Sequence, residues 1–124
     1  MNTVLENRPN LSDSKCVSSL LAVEDSLYVI GGKWKIKLII ALMDGGSKRF
    51  NELQRTVKGI SARVLSKELK ELEQNGFVKR NVYAAQTPVV VEYLSTAYSE
   101  TLIDIVKALV DWGIAHRKKI TSMP

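Results

Sequence analysis

The sequence predicts a mainly α-helical domain that carries one small β-hairpin. Apolar residues recur at helical spacing in four segments before Gly76 and in one long segment after Thr96. The segments 77–83 and 89–94 are instead rich in β-branched and aromatic residues, which favours two strands. A short connection containing Gly59 joins the third and fourth helical segments, as in a helix-turn-helix. Because the hairpin follows directly, the order of elements predicts a winged helix-turn-helix fold with an N-terminal helix and a long C-terminal helix.

Length and composition are those of one small globular domain. The 124 residues are too few for two domains that each bury a core, and 45% of them are hydrophobic against 25% charged. That apolar content excludes a disordered chain. No apolar run approaches the roughly 20 residues that span a bilayer, and the N-terminal segment lacks the apolar region of a secretory signal. We therefore expect a cytoplasmic protein without a membrane partner.

The first half of the chain is predicted to form an arm and three helices. Residues 1–12 are polar and show no periodicity, so we expect a flexible arm, followed by one folded domain over 13–119. Asp13 or Ser14 caps the first helix, and the glycine pair at 31–32 ends it. The second helix covers 33–43 and the third covers 49–57.

The fourth helix has the clearest boundaries. Ser61 is a good N-cap for it, and Gly76 suits the position just past its end. Its predicted buried stripe is Val64, Leu65, Leu69 and Leu72. The hairpin that follows turns at 84–88, and the final helix covers about 97–118.

The charge of the chain is concentrated in one segment. Eighteen Lys and Arg against thirteen Asp and Glu give a net charge of +5. Nine of the basic residues and only four of the acidic ones lie between Gly46 and Tyr83, so the rest of the chain is neutral overall. A positive surplus around a helix-turn-helix indicates a polyanionic partner. A solvated basic surface is the alternative that charge alone leaves open.

The exposed side of the fourth helix is the predicted reader of DNA. An α-helix fits the major groove, and the N-terminal residues of such a helix reach base edges. Arg63 is suited to a bidentate contact with guanine, and the cations beside the third helix and at the start of the hairpin are suited to phosphates. The alternative is an ordinary solvated face in which Lys70 pairs with a carboxylate. The candidate DNA-contacting residues are Lys48, Arg49, Asn51, Arg55, Ser61, Ala62, Arg63, Ser66, Lys67, Lys70, Lys79 and Arg80.

The residue inventory disfavours catalysis and metal binding. The chain has one cysteine, Cys16, and one histidine, His116, which lies far along the chain in the basic segment AHRKK. One cysteine excludes an internal disulfide, and the two residues together cannot build a conventional zinc site. No nucleophile–histidine pair is in view either. We therefore expect no enzymatic activity, no metal and no cofactor.

Several strings of the sequence resemble one family of regulators. IGGKWKIKLIIAL, RFNELQR, GISARVLSKELKELEQNGFVKR, VVVEY and a late DWG are similar to motifs of the HxlR-type family of bacterial winged-helix transcription regulators, over about residues 16–113. The GGKW segment and the GIS string distinguish the chain from MarR-, PadR- and ArsR-type winged helices. The resemblance implies a homodimeric, cytosolic DNA-binding regulator of nearby genes, more often a repressor. It also implies that the fourth helix reads DNA and that the hairpin is the wing.

The first and last helices are more apolar than one buried face requires. Apolar residues of the last helix lie on two sides of it, and a domain of this size has too few layers to cover both. We expect a two-fold dimer through these helices, with the two reading helices about 34 Å apart, one turn of DNA. The predicted dimerisation residues are Leu20, Leu102, Ile105, Val106, Leu109 and Trp112.

The sequence thus predicts a homodimeric regulator that binds a two-fold operator in duplex DNA through the helix 61–75 and a wing at 84–88. Occupancy of promoter DNA would be its mode of action, and a signal that changes the spacing or angle of the reading helices would control it. A winged helix used only as a protein–protein or RNA-binding module is the competing hypothesis. The charge around the fourth helix disfavours that hypothesis.

Cys16 is the candidate sensor for a small-molecule electrophile or oxidant. It lies in the first turn of the first helix, where the helix dipole and Lys15 favour the reactive thiolate and Asp13 opposes it. The resembled family often carries a sensing cysteine near this position. An inert, half-buried small residue is the alternative. Without a second cysteine, the products open to it are a bridge between subunits, an adduct with a small thiol, or an alkylated thiol.

Overall fold

The computed structural model describes residues 13–123, and the elements in this part of the chain follow the predicted order. They are α1 (Asp13–Ile30), α2 (Lys35–Met43), α3 (Phe50–Thr56), α4 (Ala62–Gln74), β1 (Val78–Tyr83), β2 (Val90–Ser95), a 3₁₀ turn (Tyr98–Leu102) and α5 (Ile103–Thr121). The predicted arm at 1–12 lies outside the described residues. The chain divides after Gly31 into a first compact unit that contains α1 and a second that contains the other elements. The mainly helical winged-helix fold is confirmed.

Buried apolar side chains of the second unit come from its helices and from the start of β1. α2 contributes Leu38, Ile39 and Leu42, as its helical spacing predicts. Val64 of the predicted α4 stripe is only half-buried. The other buried apolar residues of these elements and their connections are Ala41, Leu53, Val57, Ile60, Leu65, Leu69, Leu72, Phe77, Val78, Leu102 and Val106. α4 therefore turns one apolar side inward and leaves its opposite side at the surface.

Two glycines with positive φ set the limits of α4. Gly59, in the turn after α3, has φ +89°, and Gly76, just past the end of α4, has φ +83°. A residue with a Cβ adopts this left-handed region only with strain, so both positions favour glycine. At the start of α4, the Ser61 hydroxyl accepts a hydrogen bond from the Val64 N–H at 3.2 Å. The predicted cap and end of the fourth helix are both confirmed.

The two strands of the hairpin are antiparallel, and one residue outside the hairpin pairs with β2. Arg80 stands opposite Tyr93, and Tyr83 stands opposite Val90, so the loop covers 84–89 rather than the predicted 84–88. Lys48 pairs with the other edge of β2, because its backbone donates to the Tyr93 carbonyl at 2.9 Å and accepts from the Tyr93 N–H at 2.8 Å. The sequence did not predict this bridge, since a single paired residue leaves no alternating pattern.

The last helix starts differently from the prediction. The segment predicted to be helical from Ala97 begins as a 3₁₀ turn, and α-helical geometry starts at Ile103. The Thr96 hydroxyl donates to the Gly76 carbonyl at 2.6 Å and accepts from the Ser99 N–H at 3.2 Å. These hydrogen bonds tie the turn to the end of α4 and hold its first residues in the tighter geometry. The helix ends at Thr121, beyond the predicted 118.

An ion-pair triad joins α2 to α4. The Lys35 ammonium lies 2.5 Å from a Glu68 carboxylate oxygen and 2.6 Å from one of Glu71. The side chains of Lys35 and Glu68 are only 12% and 13% exposed, whereas that of Glu71 is 36% exposed. Burial acts to lower the pKa of Lys35, but the hydrogen bonds and charges of both glutamates outweigh it and raise that pKa above 10.5. The hydrogen bond from Lys35 holds the pKa of Glu71 below 4.5.

Replacing Lys35 with methionine is expected to lower the free energy of unfolding at pH 7 by about 1–3 kcal/mol, because two glutamates lose their shared partner. In the wild type, the contribution of Glu71 is present above its unfolded pKa and is lost as pH falls through its lower folded pKa. In Lys35→Met, Glu71 has lost this partner, so acid lowers the free energy of unfolding of the variant less than that of the wild type. Urea titrations at pH 7 and pH 3.5, at one fixed protein concentration, should show the difference between the two proteins narrowing in acid.

Lys37→Met is the matched control. Lys37 is exposed on the same helix, and its ammonium lies 5.3 Å from the centroid of the Trp34 ring without an ion pair to any residue in the range 13–123. We expect a loss below about 0.5 kcal/mol that does not change with pH. Equal losses in the two variants, or a Lys35→Met loss that is constant between the two pH values, would contradict the role assigned to the triad.

Candidate nucleic-acid interface

The residues that α4 exposes are set by the three leucines that it buries. Leu65, Leu69 and Leu72 are at most 2% exposed, and they fix the rotation of the helix against the core. The opposite side, together with the cap, is exposed at Ser61, Ala62, Arg63, Ser66, Lys67 and Lys70, all of which were predicted as DNA-contacting residues. The structure therefore brings these six together on one face, which we call the reading face. Its part from Ser61 to Lys67 contains no acidic residue, whereas Glu73 lies further along the helix on the same side as Ser66 and Lys70.

Two of the three acids of α4 are held away from the reading face. Glu68 and Glu71 both turn to Lys35 of α2, as described above. The sequence alternative paired Lys70 with a carboxylate, but among residues 13–123 no carboxylate oxygen lies within 4.0 Å of its ammonium. Sequence reasoning did not find the Lys35 triad, although the run of lysines at 33, 35 and 37 was visible. Only the packing of α2 on α4 singles out the middle one.

The cations beside α3 differ in their availability. Arg49, Asn51 and Arg55 are exposed, and Glu52 caps the helix by accepting from the Arg49 N–H at 3.1 Å. Lys48 is less available, because its side chain is 18% exposed and its ammonium lies 2.8 Å from an Asp44 carboxylate oxygen. A phosphate contact by Lys48 would have to displace Asp44.

The two cations of the hairpin lie on opposite faces of it. Lys79 and Arg80 are adjacent in β1 and both are exposed, so the alternation of a strand separates their side chains. The Nε atom of Arg80 lies 3.8 Å from a Glu73 oxygen, which places Arg80 next to α4. Tyr93, directly opposite Arg80, shares this face. The sequence does not single out Tyr93 as a site residue, since its position beside Arg80 depends on the hairpin register.

Exposed apolar residues mark two helices. On α5, Ile105, Leu109 and Trp112 are 47–66% exposed, whereas Leu102 and Val106 are buried in the core of the chain itself. Five residues of this region were predicted for dimerisation, and only Ile105, Leu109 and Trp112 remain at the surface. On α1, which belongs to the other compact unit, the exposed apolar residues are Val17, Leu20, Leu21, Val23, Leu27 and Tyr28.

The other candidate sites are a reactive thiol and a metal centre. Cys16 is a free, half-buried cysteine in the first turns of α1. No group of three or more His, Cys, Asp and Glu residues that could hold a metal ion occurs within residues 13–123. In the same range, no helix has both the length and the apolar content needed to cross a bilayer.

Comparison with known sequences places this arrangement in a family. The sequence pattern of the HxlR-like helix-turn-helix family matches residues 29–121. The HTH-type transcriptional regulator YdeP of Bacillus subtilis is 41% identical over 101 residues, which cover 82% of this chain and 77% of YdeP. YybR of the same organism, also an HTH-type transcriptional regulator, is 45% identical over 100 residues, which cover 81% of this chain and 78% of YybR.

Solved structures agree with the sequence comparisons. The redox regulator HypR in its reduced form matches with a TM-score of 0.75 and 44% identity, over 82% of this chain and 99% of HypR. The reduced form of the transcriptional regulator YodB from B. subtilis matches with a TM-score of 0.63 and 38% identity, over 72% of this chain and 85% of YodB. The resemblance inferred from the motifs is therefore confirmed, and the chain with its α4 reading face and hairpin belongs to the HxlR-like helix-turn-helix family of transcriptional regulators.

Proposed function

We propose that this transcriptional regulator acts as a homodimeric repressor that binds a two-fold operator, with α4 in the major groove and the 84–89 loop as the wing. The observation that carries the proposal is that the reading face exposes cations and no acid from Ser61 to Lys67. Its N-terminal half presents Arg63, Ser66 and Lys67 to solvent, which are side chains suited to base edges and phosphates. The exposed cations around α3 and on the hairpin would add phosphate contacts that position the helix.

The exposed apolar residues of α1 and α5 support the dimer. A monomer rarely leaves so many large apolar side chains exposed on two helices, because each costs free energy in water. Leu20 of α1 is 64% exposed and Trp112 of α5 is 66% exposed. A second copy that covers both helices would remove this surface from water. Two-fold symmetry would then set two α4 helices about 34 Å apart.

Thiol chemistry at Cys16 is the proposed control. The similar protein HypR is a redox regulator, and the similar protein YodB has also been solved after diamide treatment. Cys16 is a free, half-buried thiol on α1, one of the two helices that would form the dimer. A modified Cys16 would disturb the packing of α1 and so change the separation of the reading helices. The effector would be a small electrophile or oxidant, and no resident cofactor is required.

Arg63→Ala is expected to lower affinity by about 1–3 kcal/mol and to relax the preference at one base position, because a bidentate contact to guanine is lost. Lys79→Ala should weaken binding to all sequences alike and reduce the salt slope by about one, because only a phosphate contact is lost. The measurement is fluorescence anisotropy on the duplex best bound from a random pool and on its single-base variants. Unchanged affinity in both variants would show that the assigned face is wrong.

The competing RNA-binding function makes the opposite prediction about the ligand. We expect the wild-type protein to bind the selected duplex DNA more tightly than duplex RNA of the same sequence, because α4 fits the major groove of B-form DNA and not that of A-form RNA. Equal or tighter binding of the RNA would favour the competing function.

Leu109→Glu is expected to separate the dimer, because it places an unpaired charge among the exposed apolar residues of α5. Sedimentation velocity should give a dimer for the wild type and a monomer for the variant at the same concentration. Lys107→Glu is the matched control, since it adds an acid on the same helix at an exposed, non-apolar position. A Leu109→Glu protein that still sediments as a dimer would put the interface elsewhere.

Diamide or quinone treatment is expected to change the operator affinity of the wild type and to leave that of Cys16→Ser unchanged. Mass spectrometry of the treated protein establishes whether the thiol has reacted and which product has formed. Equal affinity before and after treatment, in protein whose Cys16 is shown to be modified, would remove the sensing role and leave Cys16 as an inert residue.

A further inference from the structure

A small cleft between α4 and the hairpin opens beside the reading face. Its volume is about 280 Å³, and it is lined by Ser66, Leu69, Lys70, Glu73, Arg80 and Tyr93. Ser66, Lys70 and Glu73 lie on one side of α4 because they are spaced four and three residues apart. Arg80 and Tyr93 are directly opposite each other across the hairpin and leave the same face of it. Two elements thus direct cations and hydroxyl groups into one space.

The cleft offers free hydrogen-bond donors to a ligand. Lys70 has no carboxylate partner within the described part of the chain, as noted above. Tyr93 is half-buried, and within residues 13–123 its backbone forms hydrogen bonds but its hydroxyl does not. Burial raises the pKa of the Tyr93 phenol above 10.0, with Arg80 acting to lower it and Glu73 to raise it. The phenol is therefore protonated at neutral pH and remains a donor.

Arg80, the hairpin cation that lines the cleft, is only weakly paired with Glu73. The Nε atom of Arg80 and the Oε1 atom of Glu73 are 3.8 Å apart, and the two side chains are 47% and 40% exposed. This separation is too long for a hydrogen bond, so the pair is an ion contact in a well-solvated place. An incoming phosphate oxygen that approaches the guanidinium more closely can replace the carboxylate.

We propose that this cleft holds one backbone phosphate of the bound duplex, contacted by Lys70, Arg80 and the Tyr93 hydroxyl, and that Glu73 competes with the phosphate for Arg80. The inference rests on the proposed function and adds to it a phosphate-binding tyrosine and an acid that limits affinity. The donors that line the cleft include two cations and a neutral phenol, which favours an anionic group such as a phosphate as its ligand. Such a contact positions the duplex and does not read its sequence.

Salt titrations of DNA affinity separate the two kinds of donor. Tyr93→Phe should weaken binding of the selected duplex and of a scrambled duplex alike, by roughly 5- to 10-fold, and leave the salt slope unchanged because no charge is removed. Lys70→Ala should weaken both duplexes and reduce the slope by about 0.9. Tyr98→Phe and Lys107→Ala are the matched controls, both at exposed positions outside the cleft, and they should bind as the wild type does.

Glu73→Gln tests the competition for Arg80. It should raise affinity by roughly 2- to 5-fold and make the salt slope steeper, because Arg80 becomes fully available to the phosphate. The effect should vanish when Glu73→Gln is made in an Arg80→Ala background, since the acid is proposed to act through that arginine. A general removal of negative charge near DNA would instead raise affinity equally in both backgrounds.

The outcomes distinguish this inference from the function on which it rests. If the wild type does not bind duplex DNA, the proposed function fails and the inference falls with it. If the wild type binds but Tyr93→Phe matches it, or Glu73→Gln acts equally with and without Arg80, the inference alone is overturned. Thermal unfolding of each variant shows that it is folded, and the conservative Tyr93→Phe change keeps the ring in place.

Discussion

The ammonium of Lys35 joins α2 to α4 by binding two carboxylates of α4, those of Glu68 and Glu71. The contact is largely buried at Lys35 and Glu68, so the three side chains must stay together once the helices pack. It links α2 to the helix-turn-helix, directs two carboxylates away from the reading face and neutralises one of their two negative charges. The triad therefore adds to the leucine packing that positions α4, and it also changes the charge around the helix, which an apolar contact at the same place would not do.

The third acid of α4 completes the separation of charge. Glu73 faces the hairpin and lies near Arg80, so each acid of the helix has a cation beside it. Among residues 13–123, the cations of α4 without a carboxylate partner are Arg63, Lys67 and Lys70. The first two lie on its N-terminal half, the part of a recognition helix that approaches base edges. The two kinds of contact differ in strength, because the Lys35 triad is buried and short whereas the Glu73–Arg80 pair is exposed and long. The first suits a permanent structural role, and the second suits exchange with a ligand.

The last helix divides its apolar residues between two tasks. Leu102 and Val106 pack into the core of the chain, while Ile105, Leu109 and Trp112 remain exposed. The first pair anchors α5 to the winged helix, and the exposed set is available to a second copy. In the proposed dimer, a change at Cys16 in α1 would alter the interface between the two copies and so the separation of their α4 helices. Regulation would then need no contact between the effector and the DNA-binding residues.

The sequence alone determined the order of helices and strands, the cap and end of α4, the three leucines of its buried stripe and the residues exposed on its other side. Helical periodicity, Ser61, Gly59 and Gly76 are local signals, and they suffice for these features. It also determined the family, through motifs spread over nearly the whole chain. Only the tertiary structure decided which lysine meets which glutamate, that Leu102 and Val106 are buried, and that Tyr93 stands beside Arg80. These facts depend on contacts between residues distant in sequence, and such contacts are set by the packing of α2, α4 and the hairpin rather than by any local pattern.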